Sequence, residues 1–254
     1  MFLIAAIGYL NKMYILIRLF LCYIILVNNN FAFATQSDPL FRCSYDTASK
    51  ERILHSKPKM FKKDGRPKAT AGVMLYTYSK GKAYILIGRE KQDVNDPVSS
   101  GKYSEFSGSV ELKPNKSSES FLEGSIRELE EETAGTYRLD SEYILENGKA
   151  CYQRSVNREV MINFVEAPFY TKKDTLINNR NNSNISTHKE KDDFMWIKAE
   201  DLLNNYSKES CVDVHDIEGN SICIKLRSFL AEMLKDKKFK HTLQDIIDDN
   251  KSAK

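Results

Sequence analysis

The sequence predicts a mixed α/β domain. Two β-rich runs, "TAGVMLYTY" (residues 70–78) and "KAYILIGRE" (residues 82–90), flank the turn signal "SKGK" and predict a hairpin. Apolar residues then recur at near-helical spacing in residues 117–135, which predicts a helix with one apolar face. Farther along, "FMWIKAEDLLNNY" (residues 194–206) predicts a strand that leads into a short helix.

Length and composition narrow the class of protein. The 254 residues suffice for one sizeable domain with additions or for two small domains. A content of 41% apolar and 29% charged residues predicts a folded globule rather than a disordered chain. A formal net charge of +3 is too close to zero to indicate nucleic-acid binding, so we expect no nucleic-acid partner.

Residues 1–34 differ in kind from the rest of the chain. They contain no acidic residue, and their apolar run, Leu19–Val27, is shorter than the roughly 20 residues that span a bilayer as a helix. The small-x-small sequence "AFA" ends at Ala34. We therefore predict a signal peptide cleaved near Ala34, with Met1 or Met13 as the start, and export to the periplasm or the medium. The alternative is an uncleaved membrane anchor; in that case the protein would contact a membrane only through this N-terminal segment.

The remaining chain divides into three parts. Residues 35–68 are polar and basic and are expected to be a linker, residues 69–236 the domain, and residues 237–254 a fraying tail. Within the domain, the sequence predicts the following elements: a short strand turning at Gly108 in residues 103–112, two strands about an Asn-Gly turn in 141–156, a strand in 159–169, an exposed loop in 174–193 and a helix in 224–236.

Four cysteines follow the N-terminal segment: Cys43, Cys151, Cys211 and Cys223. An even number in an exported chain permits disulfides without requiring them. Cys211 and Cys223 flank a Gly-Asn turn signal and are the best candidate pair. A zinc site that uses His215 and free buried thiols are the alternatives.

The predicted helix is strongly acidic. "SSESFLEGSIRELEEETAG" (residues 117–135) contains six glutamates, and Ser117 or Ser118 is expected to cap its N-terminus. Glu128, Glu131 and Glu132 fall on one side of the helix, where like charges repel one another. A hard divalent cation, Mg²⁺ or Mn²⁺, would relieve that repulsion. The alternative is a solvated acidic face.

The order of these residues resembles a known family. "RELEEETAG" (residues 127–135) is similar to the core of the Nudix box, Arg-Glu-apolar-x-Glu-Glu-x-Gly, and Glu119 stands eight positions before Arg127 as in that pattern. The flanking segments "YSEFSGSVE" and "EKDDFMWIKAEDLL" resemble those around the box, so the resemblance to Nudix (MutT-like) hydrolases spans Thr70 to Leu203.

The chain departs from the Nudix pattern at two places. Ala134 replaces the terminal glycine of the box and is followed by Gly135. The glycine expected six positions before Glu119 is Lys113; if Gly108 is its counterpart, the intervening loop contains five extra residues.

The resemblance implies a Nudix-type α/β/α sandwich with a mixed sheet. It also implies a metal-dependent pyrophosphohydrolase that cleaves a nucleoside diphosphate linked to another moiety: a dinucleoside polyphosphate, a nucleotide sugar or a nucleoside triphosphate. The alternative is an exported Nudix-fold binding or regulatory module with weak or no catalytic activity.

The resemblance also assigns roles to residues. Glu128, Glu131, Glu132 and the carbonyl of Gly108 would bind Mg²⁺ or Mn²⁺, and Arg127 would orient the glutamates. Glu190 matches a late-loop acid that in some members of the family binds metal or acts as general base, with Asp193 as the second candidate; the alternative for Glu190 is a solvated loop acid. Tyr152 stands where dinucleoside polyphosphate hydrolases of the superfamily often have a tyrosine. The remaining candidates for contacts with base or phosphate are Arg89, Tyr103, Arg154 and Arg158.

Overall fold

The computed structural model describes residues 41–44, 46–206 and 211–252, which lie within the compact unit formed by residues 40–254. The predicted signal peptide, residues 1–34, lies outside the described residues. Within the described ranges, each helix is too short or too polar to cross a bilayer.

The centre of the unit is a mixed β-sheet. Its strands are β1 (Arg42–Ser44), β2 (Ala69–Ser79), β3 (Lys82–Glu90), β4 (Tyr103–Ser104), β5 (Phe106–Ser109), β6 (Gly148–Arg154), β7 (Glu159–Glu166) and β8 (Lys191–Lys198). They run in the order β1-β6-β7-β2-β3-β4, while β5 pairs with β2 and β8 pairs with β3. Strands β2 and β7 are parallel, and the other pairs are antiparallel.

Helices cover both faces of the sheet. Successive residues of a strand point to opposite faces; accordingly, Val73 and Leu75 of β2 lie in one core and Met74 and Tyr76 in the other. The helices are α1 (Thr47–Leu54), α2 (Phe121–Glu132), α3 (Ser141–Asn147), α4 (Lys173–Asn182), α5 (Ala199–Asn205), α6 (Ser228–Met233) and α7 (Lys237–Ser252). Residues of α1 to α4 pack in the first core and residues of α5 to α7 in the second, so the sheet lies between two helical layers.

Several predicted elements are confirmed. The β2–β3 hairpin turns at Lys80 and Gly81, both with positive φ (48° and 74°), and β8 leads directly into α5. Cys211 and Cys223, the best candidate pair in the sequence, form a disulfide across a second hairpin, β9 (Val212–His215) and β10 (Ser221–Ile224).

Two internal segments differ from their prediction. Residues 141–147 form helix α3 rather than a strand, because the side chain of Asp140 caps the helix by accepting a hydrogen bond from the Tyr143 amide. Part of the predicted exposed loop, Lys173–Asn182, is helix α4, which buries Leu176 against the sheet.

Both ends of the predicted domain extend farther than expected. Strand β1 and helix α1 occupy part of the predicted linker, and Cys43 of β1 pairs with Cys151 of β6. The predicted fraying tail is helical in Lys237–Ser252, because its side chains Phe239, Leu243 and Ile246 are fully buried in the core.

Candidate active site

Helix α2 positions the acidic cluster. It begins one turn later than predicted, at a capping box in which the Glu123 amide donates to the Ser120 hydroxyl (3.2 Å) and the Ser120 amide donates to the Glu123 carboxylate (2.8 Å). Its apolar face, Phe121, Leu122 and Leu129, is buried against the sheet. The acidic residues are thereby fixed beside strand β5, which packs against the same helix.

Arg127 neutralises part of the acidic cluster. Its guanidinium donates to both carboxylate oxygens of Glu119 (2.9 and 3.1 Å), to Glu128 (2.8 Å) and to Glu131 (3.0 Å). It also donates to the carbonyl of Ser109 at the end of β5 (2.8 Å). One cation therefore orients three carboxylates and joins the helix to the sheet, the orienting role that the sequence resemblance implies for Arg127.

Of positions 108 and 113, the two candidates for the glycine of the Nudix pattern, position 108 lies beside the acidic cluster. A Cβ at position 108 would collide with the carboxylate of Glu128, so the backbone of β5 approaches that side chain closely. The loop between Gly108 and Glu119 is closed by a backbone hydrogen bond from the Glu119 amide to the Glu111 carbonyl (2.9 Å). Lys113 in this loop pairs with Glu123 (2.6 Å).

Glu132 has a different partner from the other glutamates of the helix. Its carboxylate is buried and contacts the ammonium of Lys191 (3.0 Å), which also contacts Glu90 (2.6 Å). Burial raises the pKa of Glu132, and the contact with Lys191 opposes that effect. Burial alone would lower the pKa of Lys191, but Glu132 and Glu90 raise it further than burial lowers it, so this lysine stays an ammonium ion.

The glutamates on the outer side repel one another. Burial raises the pKa of Glu128 to about 7; Arg127 opposes this shift, whereas Glu131 and Glu190 add to it. The pKa of Glu190, on the loop before β8, is also raised, through partial burial of its carboxylate and the charge of Glu131. Glu131 and Glu190 therefore lie close enough to Glu128 for their charges to act on its pKa.

Glu190 and Asp193 differ in their suitability as a base. Burial alone would raise the pKa of Asp193, but hydrogen bonds from Lys173 (2.6 Å) and Tyr103 (2.7 Å) lower it overall. A carboxylate with a lowered pKa accepts a proton poorly, whereas one with a raised pKa accepts it readily. Glu190 is therefore the better candidate.

A cleft of about 450 Å³ opens beside the acidic cluster. Arg127 and Glu131 of α2 line one side, and Ile185, Thr187 and His188 line the other. His188 is buried and shares a hydrogen bond with the Ser183 hydroxyl (2.8 Å). His188 and Lys191 were not predicted as site residues, because both lie in a segment predicted to be an exposed loop.

The predicted substrate-contacting residues are dispersed. Arg89 forms an ion pair with Asp192 (2.6 Å). Arg89 lies near Glu190, because the amide of Lys91, two residues after Arg89, donates a hydrogen bond to the Glu190 carbonyl (2.8 Å). Tyr152 lies on β6, where its hydroxyl donates to Glu159 (2.6 Å).

The two remaining arginines also have partners on the protein. Arg154 lies 4.0 Å from Glu159, and Arg158 lies over the ring of Phe229. The tyrosine at position 152 and these two arginines are therefore engaged in contacts within the fold.

The donor set suits a hard divalent cation. Glu128, Glu131, Glu190 and the carbonyl of Gly108 offer only oxygen atoms, which Mg²⁺ and Mn²⁺ prefer. Within residues 41–44, 46–206 and 211–252, no three acidic, histidine or cysteine side chains already surround a common point as metal ligands. An ion would therefore have to draw carboxylates away from Arg127.

Comparison with known proteins gave structural neighbours. No protein-family model and no curated protein matches the chain. Solved structures that resemble it include the NUDIX domain of Shewanella oneidensis NrtR complexed with ADP ribose (14% identity, 74% of this chain and 96% of that one, TM-score 0.38). Another is a C. elegans Ap4A hydrolase binary complex (15% identity, 53% of this chain and 82% of that one, TM-score 0.31). NrtR complexed with a 27mer DNA also matches (14% identity, 68% and 62%, TM-score 0.33).

Proposed function

We propose that this chain is a metal-dependent pyrophosphohydrolase that cleaves a nucleoside diphosphate linked to another moiety. The observation that carries the proposal is the arrangement around Arg127: Glu128 and Glu131 are held by one guanidinium, and the backbone of Gly108 lies against Glu128. The substrate class is a dinucleoside polyphosphate, a nucleotide sugar or a nucleoside triphosphate.

Each residue has a role in this proposal. Glu128, Glu131 and the Gly108 carbonyl would hold Mg²⁺ or Mn²⁺, which, when bound, would neutralise phosphate oxygens and acidify a water molecule. Arg127 keeps the two carboxylates in place. Glu190, whose pKa is raised, accepts the proton of the water that attacks phosphorus. Cleavage breaks one P–O bond of the bridge: the water oxygen ends on one product, the bridging oxygen leaves with the other, and each product carries at least one phosphate group.

The proposal also includes export, with cleavage near Ala34. The pairs Cys43–Cys151 and Cys211–Cys223 support it, because disulfides persist in oxidising compartments. N-terminal sequencing of protein from its natural host tests this part. Recovery of Met1 or Met13 from membranes would support the anchor instead.

One observation favours a second function. Lys191 engages Glu132, a residue that the Nudix pattern assigns to the metal. A Nudix-fold binding module with little catalysis would tolerate that pairing. Measured turnover separates the two functions.

The test is a hydrolysis assay with Mg²⁺ or Mn²⁺. The substrates are a dinucleoside polyphosphate, a nucleotide sugar, ADP-ribose and a nucleoside triphosphate, and the products are followed by chromatography. Glu131→Gln is expected to lower turnover by roughly 10²-fold, since it removes one preorganised charge. Glu146→Gln, exposed on α3, is the matched control. Absence of hydrolysis of all four substrates, or full turnover by Glu131→Gln, would contradict the proposal.

A further inference from the structure

Lys191 is a fully buried cation next to the candidate active site. Its side chain has no solvent exposure, and its ammonium contacts Glu90 (2.6 Å), Glu132 (3.0 Å) and the Ser104 hydroxyl (2.7 Å). A lysine ammonium has three hydrogens to donate. All three therefore have an acceptor, and the charge is held in one position.

The surrounding fold makes room for this lysine. A Cβ at position 88 of β3 would come within 3.0 Å of the Lys191 side-chain carbons, so Gly88 leaves the space through which that chain passes. Arg180 donates to the Lys191 carbonyl (2.6 Å) and fixes the start of β8. The ammonium is consequently a permanent part of the interior.

Glu131 and Glu132 face different environments. Consecutive helical residues are about 100° apart around the helix axis, so the two side chains diverge. The Glu131 side chain is 27% exposed and contacts Arg127, whereas the Glu132 side chain is 4% exposed and contacts Lys191. Within the described part of the chain, the second oxygen of Glu132 has no hydrogen-bond partner.

Two groups of carboxylates contact different cations. We call Glu90 and Glu132 the inner carboxylates; Lys191 contacts both of them, and Arg227 lies 3.0 Å from Glu90. The outer carboxylates are Glu119, Glu128, Glu131 and Glu190, and Arg127 contacts the first three of them. A divalent cation is therefore attracted to the outer carboxylates.

We propose that Lys191 is a built-in cation that takes the place of a divalent ion at the inner carboxylates, so that Glu132 is a partner of Lys191 and not a metal ligand. The inference rests on the proposed function, in which Glu128 and Glu131 hold the ion. It predicts that the two adjacent glutamates of the Nudix-like sequence have different roles in this chain: Glu131 binds the ion, and Glu132 forms an ion pair with Lys191.

The first test is Mn²⁺ binding, followed by the electron paramagnetic resonance signal of free Mn²⁺. Glu132→Gln is expected to keep the wild-type Kd within about twofold, whereas Glu131→Gln is expected to weaken binding at least tenfold, roughly the loss seen when a metal site is perturbed. Glu146→Gln is the control for an exposed glutamate. A tenfold loss in Glu132→Gln would overturn the inference and leave the proposed function standing. No Mn²⁺ binding by the wild type would instead overturn the proposed function, and the inference with it.

The second test removes the lysine. Lys191→Met removes the cation that Glu90 and Glu132 share and leaves Glu132 without one, so it is expected to bind one more Mn²⁺ per chain than the wild type and to show a larger rise in Tm on addition of Mn²⁺. Adding Glu132→Gln to this variant should abolish the extra site. Lys189→Met, at an exposed neighbouring position, is the control. An unchanged Mn²⁺ stoichiometry in folded Lys191→Met would overturn the inference; if that variant does not fold, the result for Glu132→Gln decides.

Discussion

The raised pKa of Glu128 couples stability to pH in the metal-free protein. Burial raises this pKa from 4.5 to about 7, so the folded state holds the proton more tightly than the unfolded state does. The stabilisation is fully present below about pH 4.5 and is lost as the pH rises to about 7. Since one pKa unit corresponds to about 1.4 kcal/mol, the free energy of unfolding falls by about 3 kcal/mol across this range.

Glu128→Gln isolates this effect, because glutamine stays neutral at every pH. In EDTA, the variant and the wild type are expected to have similar Tm values at pH 5. At pH 8 the variant is expected to be more stable by about 3 kcal/mol, which is roughly 6–12 °C in Tm for a domain of this size. Differential scanning calorimetry from pH 5 to 8 measures the difference.

The control for this experiment is Glu146→Gln, whose side chain is exposed. Its difference in Tm from the wild type is expected to be small and independent of pH. Parallel curves of Tm against pH for Glu128→Gln and the wild type would contradict the raised pKa of Glu128 and its buried, electronegative environment.

Three further predictions concern other parts of the fold. Ala134 has a φ of +52°, so Ala134→Gly is expected to raise the free energy of unfolding by up to about 1 kcal/mol in urea denaturation; a loss of stability would contradict the assigned strain. Glu190→Gln is expected to lower kcat by roughly 10²–10⁴ with little change in KM, whereas Asp193→Asn should change kcat less; the reverse ranking would identify Asp193 as the base. The double variant Cys43→Ser, Cys151→Ser is expected to lose up to about 5 kcal/mol, because the bridge closes a loop of 108 residues; equal urea midpoints for the variant and the oxidised wild type would refute this.

Local signals were sufficient to predict the hairpin and helix α2. The turn "SKGK" places Lys80 and Gly81 where positive φ is needed, and the apolar spacing of α2 identifies its buried face. The short helix α3 could not be predicted in this way. The Asn-Gly pair at its end is also typical of a hairpin turn. The helix forms because Asp140 caps its N-terminus and Ile144 is buried.

The candidate site was predicted in part. Helical spacing located Glu128, Glu131 and Glu132, but it did not show that Glu132 points into the protein. That direction depends on Lys191 and on Glu90, which is 101 residues from Lys191 along the chain. A lysine after an Asn-rich segment carries no local sign of burial, because burial of lysine depends on partners that tertiary structure brings together.

The disulfide between β1 and β6 has a consequence for solubility. Strand β6 pairs with β7 on one side, and without β1 its other side would present free amide and carbonyl groups to neighbouring molecules. Strand β1 pairs with residues 150–152 of β6. Because β1 has only three residues, the Cys43–Cys151 bond is expected to prevent it from dissociating from β6. The bridge thereby opposes intermolecular β-pairing at this side of β6.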